Sequence, residues 1–294
     1  MYAILGATGN TGSAIANALL DAGEQVTVIG RDANKLESFK NRGAKVRVGS
    51  IEDTQFLTNA FEGAKAVYAL IPPKYDSTDL LQYQIDASNS IATAIKNADV
   101  KNIVSLSSQG ANHTSGTGVV LGLNKMENIL NSVDGLNTLH LRPGYFMENS
   151  LVLIPLIKEQ GIIGGALKAD LTFPAIATKD ISDYAKKRLL SLDFQGNNYQ
   201  DLLGQRNVSY GELANVYGKA IGKPEMPYIE FSYEDFRGAL IEQNGFSENV
   251  ADQFIEFTKS FNEGKLSETV RNEGNTTSTS VEEFSATFKH IYEM

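Results

Sequence analysis

Glycines stand at positions 6, 9 and 12 of Tyr2-Ala3-Ile4-Leu5-Gly6-Ala7-Thr8-Gly9-Asn10-Thr11-Gly12-Ser13-Ala14-Ile15, between an apolar run and a helical one. Strand, glycine turn and helix in that order are the context in which such spacing serves a dinucleotide. Each glycine then has a mechanical task. Gly6 allows the sharp exit from the strand, Gly9 lets the backbone approach a pyrophosphate, and Gly12 lets the helix pack closely on the sheet. The helix N-terminus would offer free N–H groups and partial positive charge to the phosphates, with Thr8, Asn10 and Thr11 beside them. A purely structural glycine turn is the competing account.

The end of the second strand, Gln25-Val26-Thr27-Val28-Ile29-Gly30, bears on cofactor choice. An NAD-specific site usually places an acid there, about 20 residues after the glycines, to bind the ribose 2′-hydroxyl. Here Gly30-Arg31 stand instead. A guanidinium gives planar, charge-assisted hydrogen bonds to a 2′-phosphate, roughly 1.5–3 kcal/mol each. The expected cofactor is therefore NADP(H), with NAD(H) the alternative. Lys35 is a second phosphate ligand or a surface lysine, Arg31 itself has a surface-charge reading, and Asp32 is explained as a helix N-cap.

The elements that must position these residues alternate. Lys45-Val46-Arg47-Val48 is a third strand, and its end brings Ile51 toward an adenine ring or into the core. A helix over 54–61 leads to a fourth strand, 66–71, which Pro72-Pro73 must end because two prolines cannot continue a ladder. Ile71 and Pro72 thus fall near the cofactor. A helix over 80–98, a fifth strand over 102–106 and Ser107-Ser108 at its carboxyl end complete the series. The fold class is α/β: a Rossmann doubly wound parallel sheet, with ligands outside the carboxyl ends of its strands.

Composition narrows the function. The formal charge of −9 argues against a general nucleic-acid or anionic-membrane binder. The chain has no cysteine and only His113, His140 and His290, so thiol chemistry is excluded and a histidine metal site is not expected. No apolar run approaches the ~20 residues of a membrane helix, and the first strand begins near Met1 without room for a signal peptide, so the expected location is cytoplasmic.

With Leu121-Gly122-Leu123-Asn124-Lys125 ahead of a helix over 126–131, and Leu141-Arg142-Pro143-Gly144-Tyr145-Phe146-Met147-Glu148-Asn149 after it, the chain resembles a known family. It is similar to the NmrA-like group of atypical short-chain dehydrogenases/reductases, nearest to the bacterial NAD(P)H:quinone oxidoreductase type. The likeness runs over essentially the whole chain, from Gly-Ala-Thr-Gly-Asn-Thr-Gly through Thr178-Lys179-Asp180-Ile181 and Val208-Ser209-Tyr210-Gly211-Glu212-Leu213-Ala214 to Phe236-Arg237-Gly238-Ala239-Leu240. Short-chain dehydrogenases usually carry Tyr-x-x-x-Lys, in which the tyrosine gives a proton to the developing alkoxide. Here Lys125 is kept and the tyrosine position is Leu121, which cannot donate. Quinone reduction needs less help, because its product oxygens are phenolic with a pKa of roughly 10 and can stand as oxyanions until water protonates them.

The resemblance implies a hydride transfer to a quinone or similar small carbonyl acceptor. Lys125 would hold the ribose, Ser107 would polarise the acceptor, and Tyr145 and Phe146 would line the nicotinamide pocket. His113, the histidine nearest the crevice, is a candidate proton donor beside its reading as a loop residue. Two rivals remain: a non-catalytic NADP(H)-sensing regulator, and a nucleotide-sugar epimerase or dehydratase, which Leu121 disfavours. A homodimer or a regulatory protein partner is compatible with either.

From residue 151 the alternation weakens. Helices are expected over 151–158, 181–192, 210–221, 233–242, 248–263 and 281–292, and strands over 172–176 and 198–203, with Ser209, Ser232 and Ser247 as caps. The expected organisation is a dinucleotide-binding domain, 1–150, and a smaller C-terminal α/β substrate lobe, 151–294, folding together and able to close over the crevice.

Overall fold

The computed structural model describes residues 1–266 and 269–294. The first sheet is built from β1 (Tyr2–Leu5), β2 (Val26–Gly30), β3 (Lys45–Val48), β4 (Ala66–Ala69), β5 (Asn102–Leu106), β6 (Asn137–Pro143) and a late strand that returns to it. Between them run α1 (Asn10–Asp21), α2 (Ala33–Asn41), α3 (Thr54–Phe61), α4 (Leu80–Asn97) and α5 (Leu121–Asn131). After β6 come β7 (Tyr145–Phe146), α6 (Ile154–Gln160), β8 (Ile163–Gly165), β9 (Phe173–Ile176), α7 (Thr178–Ser191) and β10 (Asn197–Leu202). Strand order is β10-β6-β5-β4-β1-β2-β3 and every pairing in this sheet is parallel. The order reverses between β1 and β4, the place where a doubly wound sheet opens its ligand crevice.

Helices cover both faces because both faces of the strands are apolar. One core joins Ile4, Val28 and Tyr68 to Ile15 and Leu19 of α1 and to Ile181, Ala185 and Leu189 of α7. The opposite core joins Leu5, Ile29 and Val67 to Leu57, Ile91 and Met126 on α3, α4 and α5. A third core belongs to the second lobe, where β11 (Asn207–Val208), α8 (Tyr210–Ala220), β12 (Tyr228–Glu230), α9 (Tyr233–Glu242), α10 (Glu248–Asn262) and α11 (Val281–Glu293) complete the chain. β10 lies beside β6 and α7 beside α1, so the chain crosses from the second lobe back to the first before finishing in the second.

Three helix starts differ from the sequence expectation, each for a local reason. α5 begins at Leu121, five residues early, because a 3-10 turn over Gly118–Val120 feeds it and no capping side chain marks the start. α7 begins at Thr178, whose N–H and hydroxyl are both satisfied by the carboxylate of Glu148, thirty residues away. Over 151–158 the chain first runs as a 3-10 turn, Met147–Leu153, and becomes α-helical where Pro155 occupies the first helical turn. β4 stops at Ala69, two residues short of Ile71, so Leu70 is free to lie against Gly6.

A buried polar chain pins β5 to β6. Ser105 Oγ lies 2.7 Å from His140 Nδ1, and His140 Nε2 lies 2.9 Å from Asn131 Oδ1. Burial pushes the His140 imidazole down to about 4 from its ordinary 6.5, so the folded protein holds it neutral. The unfolded chain binds that proton below pH 6.5 and the folded chain does not until about pH 4. Stability is therefore full above 6.5 and falls as pH drops through that window. Between pH 7 and pH 5 the loss from this group is about 2 kcal/mol. Urea midpoints at the two pH values should show it, and His140→Gln should remove this part of the pH dependence.

Candidate dinucleotide site

Gly6 leaves β1 with φ +64°, and its carbonyl accepts from Gly9 N–H across the turn at 2.9 Å. A Cβ on Gly12 would overlap the Gly6 carbonyl, so this helix rests on the strand end backbone to backbone. A Cβ on Gly9 would meet only Gly6 O, at 3.4 Å, and otherwise opens away from protein. The two glycines thus do different work: Gly12 permits packing, and Gly9 keeps a space clear.

That space lies at a helix start with no side-chain cap. Asp32, Asp53, Asp79, Ser209, Ser232, Ser247 and Ser280 each accept a first-turn N–H of their own helices, whereas Gly9 offers no acceptor side chain to α1. The first-turn N–H groups of α1 are left for an anion, and the helix dipole favours one there. Thr11 turns inward instead: it is buried, and its hydroxyl accepts from Tyr68 Oη at 3.0 Å. Thr8 and Asn10 are exposed on the turn.

At the end of β2 the backbone is drawn to its neighbours by Ala7 N–H to Ile29 O, 3.3 Å, and Gly49 N–H to Gly30 O, 3.1 Å. Arg31 and Lys35 are exposed there and neither forms an ion pair among the described residues. Asp32 accepts from Asn34 N–H at 2.9 Å, the N-cap expected of it. Ile51 is 9% exposed at the end of β3, and Ile71 and Pro72 are half-buried at the end of β4. Pro72 O accepts from Tyr83 Oη at 3.2 Å, which holds this loop to α4.

At the carboxyl end of β5, Ser107 is 4% exposed and its hydroxyl lies 2.6 Å from Glu127 Oε1 on α5. Arg142, at the end of β6, clamps the same carboxylate with Nε, at 2.9 Å, and with Nη2, and its guanidinium stacks 4.2 Å from the Tyr199 ring centroid. Sequence reasoning did not single out Glu127 or Arg142. The available signal was an arginine inside the apolar run of β6, since a buried charge demands a partner. Lys125, two residues before Glu127, is half-buried and one helical turn from Leu121, without an ion pair among the described residues. His113 Nε2 lies 3.0 Å from the Lys265 carbonyl, against the segment that comes after α10.

Tyr145 and Phe146 come directly after Gly144 and face opposite ways: Phe146 joins the first-sheet core and Tyr145 the second-lobe core. Tyr145 meets Phe173 and Tyr210 at ring separations of 5.1 and 5.8 Å, and Tyr228 stacks on Tyr210 at 5.0 Å. The Tyr145 and Tyr210 hydroxyls are bonded to each other at 2.9 Å, and burial raises the pKa of both phenols. Across the strand ends, α10 bridges two loops. Near its start Phe246 stacks on Tyr75 at 4.4 Å and Asn249 Oδ1 accepts from Leu80 N–H at 2.9 Å. Near its end Ser260 bonds Gly116 O, and in its first half the Gln253 carbonyl lies where a Cβ on Gly118 would stand.

A doubly wound sheet with a glycine turn, an uncapped helix start and an exposed arginine at the next strand end defines a dinucleotide-binding protein of the Rossmann class. The chain belongs to the NmrA-like family, whose model matches residues 2–285. It is 25% identical to an NAD(P)H azoreductase of Xenophilus azovorans over 87% of this chain and 85% of that one. It is 27% identical to quinone oxidoreductase 2 of Escherichia coli over 90% of both. The crystal structure of that Escherichia coli enzyme with NADPH superposes with a TM-score of 0.81, at 25% identity over 98% of this chain and 99% of that one. A triphenylmethane reductase of Citrobacter sp., complexed with NADP(H), shares the fold at TM-score 0.82 and 20% identity, over 98% and 100% of the two chains. Among the described residues, no helix is long and apolar enough to cross a membrane.

Two variants test the division of labour in the turn. Gly9→Val should fold normally by circular dichroism and lose NADPH binding measured by fluorescence, whereas Gly12→Val should lower the urea midpoint. Glu127→Ala should lower the urea midpoint, because it removes the carboxylate that Ser107 and Arg142 both bond.

Proposed function

We propose that this protein is an NADPH-dependent oxidoreductase that reduces a quinone or a similar planar carbonyl acceptor. The observation that carries the reading is the pair Leu121 and Lys125 on one face of α5: the site keeps a cation one turn on and has no phenol where one would protonate an alkoxide. When bound, NADPH supplies the hydride. The residues of the chain supply placement. The first-turn N–H groups of α1 and the clear space at Gly9 suit the pyrophosphate, and Arg31 with Lys35 suits the 2′-phosphate. Ile51 and Pro72 suit the adenosine and the approach to the ring, Lys125 the ribose, and Tyr145 with Phe146 the nicotinamide end.

Leucine at 121 limits the acceptor. A simple ketone becomes an alkoxide that must receive a proton as it forms, whereas a quinone oxygen becomes a phenolate that can wait for water. The name of the quinone oxidoreductase relative supports this acceptor, and that of the azoreductase supports the wider class of flat conjugated acceptors.

Two measurements test this. NADPH should bind more tightly than NADH, and Arg31→Ala should erase a gap of about 10–100-fold, as expected for lost charge-assisted bonds; equal affinities in the unaltered protein would contradict it. On mixing in a stopped-flow instrument, at least one quinone should oxidise bound NADPH rapidly while simple ketones and nucleotide-sugars do not. Tight NADPH binding with no oxidation by any quinone would instead mark a cofactor-sensing protein.

A further inference from the structure

The contact between Ser107 and Glu127 fixes the direction of one hydrogen bond. Glu127 Oε1 already accepts from Arg142 Nε at 2.9 Å, and Oε2 accepts from Arg142 Nη2. At the 2.6 Å contact between Ser107 Oγ and Oε1, only the serine has a hydrogen to give. Ser107 is therefore the donor and its single proton is committed. Both residues are 4% exposed, so bulk water does not compete for that bond. Ser107 keeps its lone pairs, which donation to a carboxylate makes better acceptors.

This orientation decides what the serine can do at the ends of β4, β5 and β6. A quinone carbonyl needs a donor, and Ser107 has none left for it. The polarising role implied by the family resemblance is therefore closed to this residue as it is held. The nicotinamide ring, by contrast, carries a carboxamide whose N–H groups need an acceptor. Ser107 stands at the carboxyl end of β5, with its own N–H tied to Leu141 O at 2.7 Å, so its backbone is fixed against β6.

We propose that Ser107 is a cofactor-positioning residue that accepts an N–H from the nicotinamide carboxamide, with Glu127 and Arg142 setting its direction. The proposal rests on the reading that the crevice binds NADPH. It assigns to the Glu127–Arg142 ion pair a task beyond stability: it sets the direction of the Ser107 hydroxyl.

The test compares three ligands on the unaltered protein and on Ser107→Ala. They are NADPH, its 3-acetylpyridine analogue, in which a methyl ketone replaces the carboxamide and removes its N–H donors, and 2′-phospho-ADP-ribose, which lacks the ring. The unaltered protein should bind NADPH about 3–10-fold more tightly than the analogue, the range of one neutral hydrogen bond. Ser107→Ala should lose that factor for NADPH alone and leave the other two ligands unchanged. Ser107→Ala keeps the Glu127–Arg142 pair, and its urea midpoint checks that the fold is intact. Unchanged NADPH affinity in Ser107→Ala, or equal losses for all three ligands, would overturn the assignment while leaving NADPH binding in place. Failure of the unaltered protein to bind either NADPH or 2′-phospho-ADP-ribose would overturn the crevice reading itself.

Discussion

Helix α1 touches β1 through backbone rather than side chains, because position 12 carries no Cβ to hold the two apart. That contact sets where the first helical turn ends up: directly outside the strand, beside Leu70 and at the reversal of strand order. The helices capped by Asp or Ser close their own starts, whereas α1 leaves its N–H groups open toward the cleft. Unmet backbone donors beside a clear volume are costly unless something anionic or aqueous fills them. The exposed Arg31 one strand over adds a second anion-seeking group, spaced by the sheet rather than by its own side chain.

Carboxylates hold the rest of the site in place. Glu127 joins α5, β5 and β6 through Ser107 and Arg142. Glu148 caps α7 and so fastens the segment after β6 to the helix that packs on α1. Asp180, buried on α7, accepts from Thr279 N–H and hydroxyl and brings in the loop ahead of α11. Arg142 and Glu148 of Leu-Arg-Pro-Gly-Tyr-Phe-Met-Glu-Asn and Asp180 of Thr-Lys-Asp-Ile make these ties between elements. The aromatic pair Tyr145 and Phe146 divides between the two lobes' cores. The second lobe is consequently not a separate bead on a linker: α7 and β10 complete the first sheet and its cover, and α10 spans the loops after β4 and β5.

The features legible in the sequence were those whose cause is local. The glycine spacing, the strand before it, the Asp32 cap and the alternation through β5 all depend on residues within a turn or two of each other. Starts without local signals escaped: α5 has no capping residue, and the cap of α7 arrives from Glu148, far along the chain. Return of β10 to the first sheet was equally hidden, because an edge strand with a mixed burial pattern gives no sign of its partner. In the site, the place of Ser107 was readable and its chemistry was not. The proton direction depends on Glu127, one helix away, and Glu127 is held by Arg142 on a third element.

The central claim is that this crevice passes a hydride to its acceptor without a protein group giving a proton in the same step. The most direct measurement is the single-turnover rate of NADPH oxidation by a quinone, taken with 4-deuterated NADPH in ordinary water and with ordinary NADPH in D2O. The account predicts a primary isotope effect from the deuterated cofactor and a solvent isotope effect near unity. A large solvent effect on the same step, removed by replacing an ionisable residue of the crevice, would contradict it.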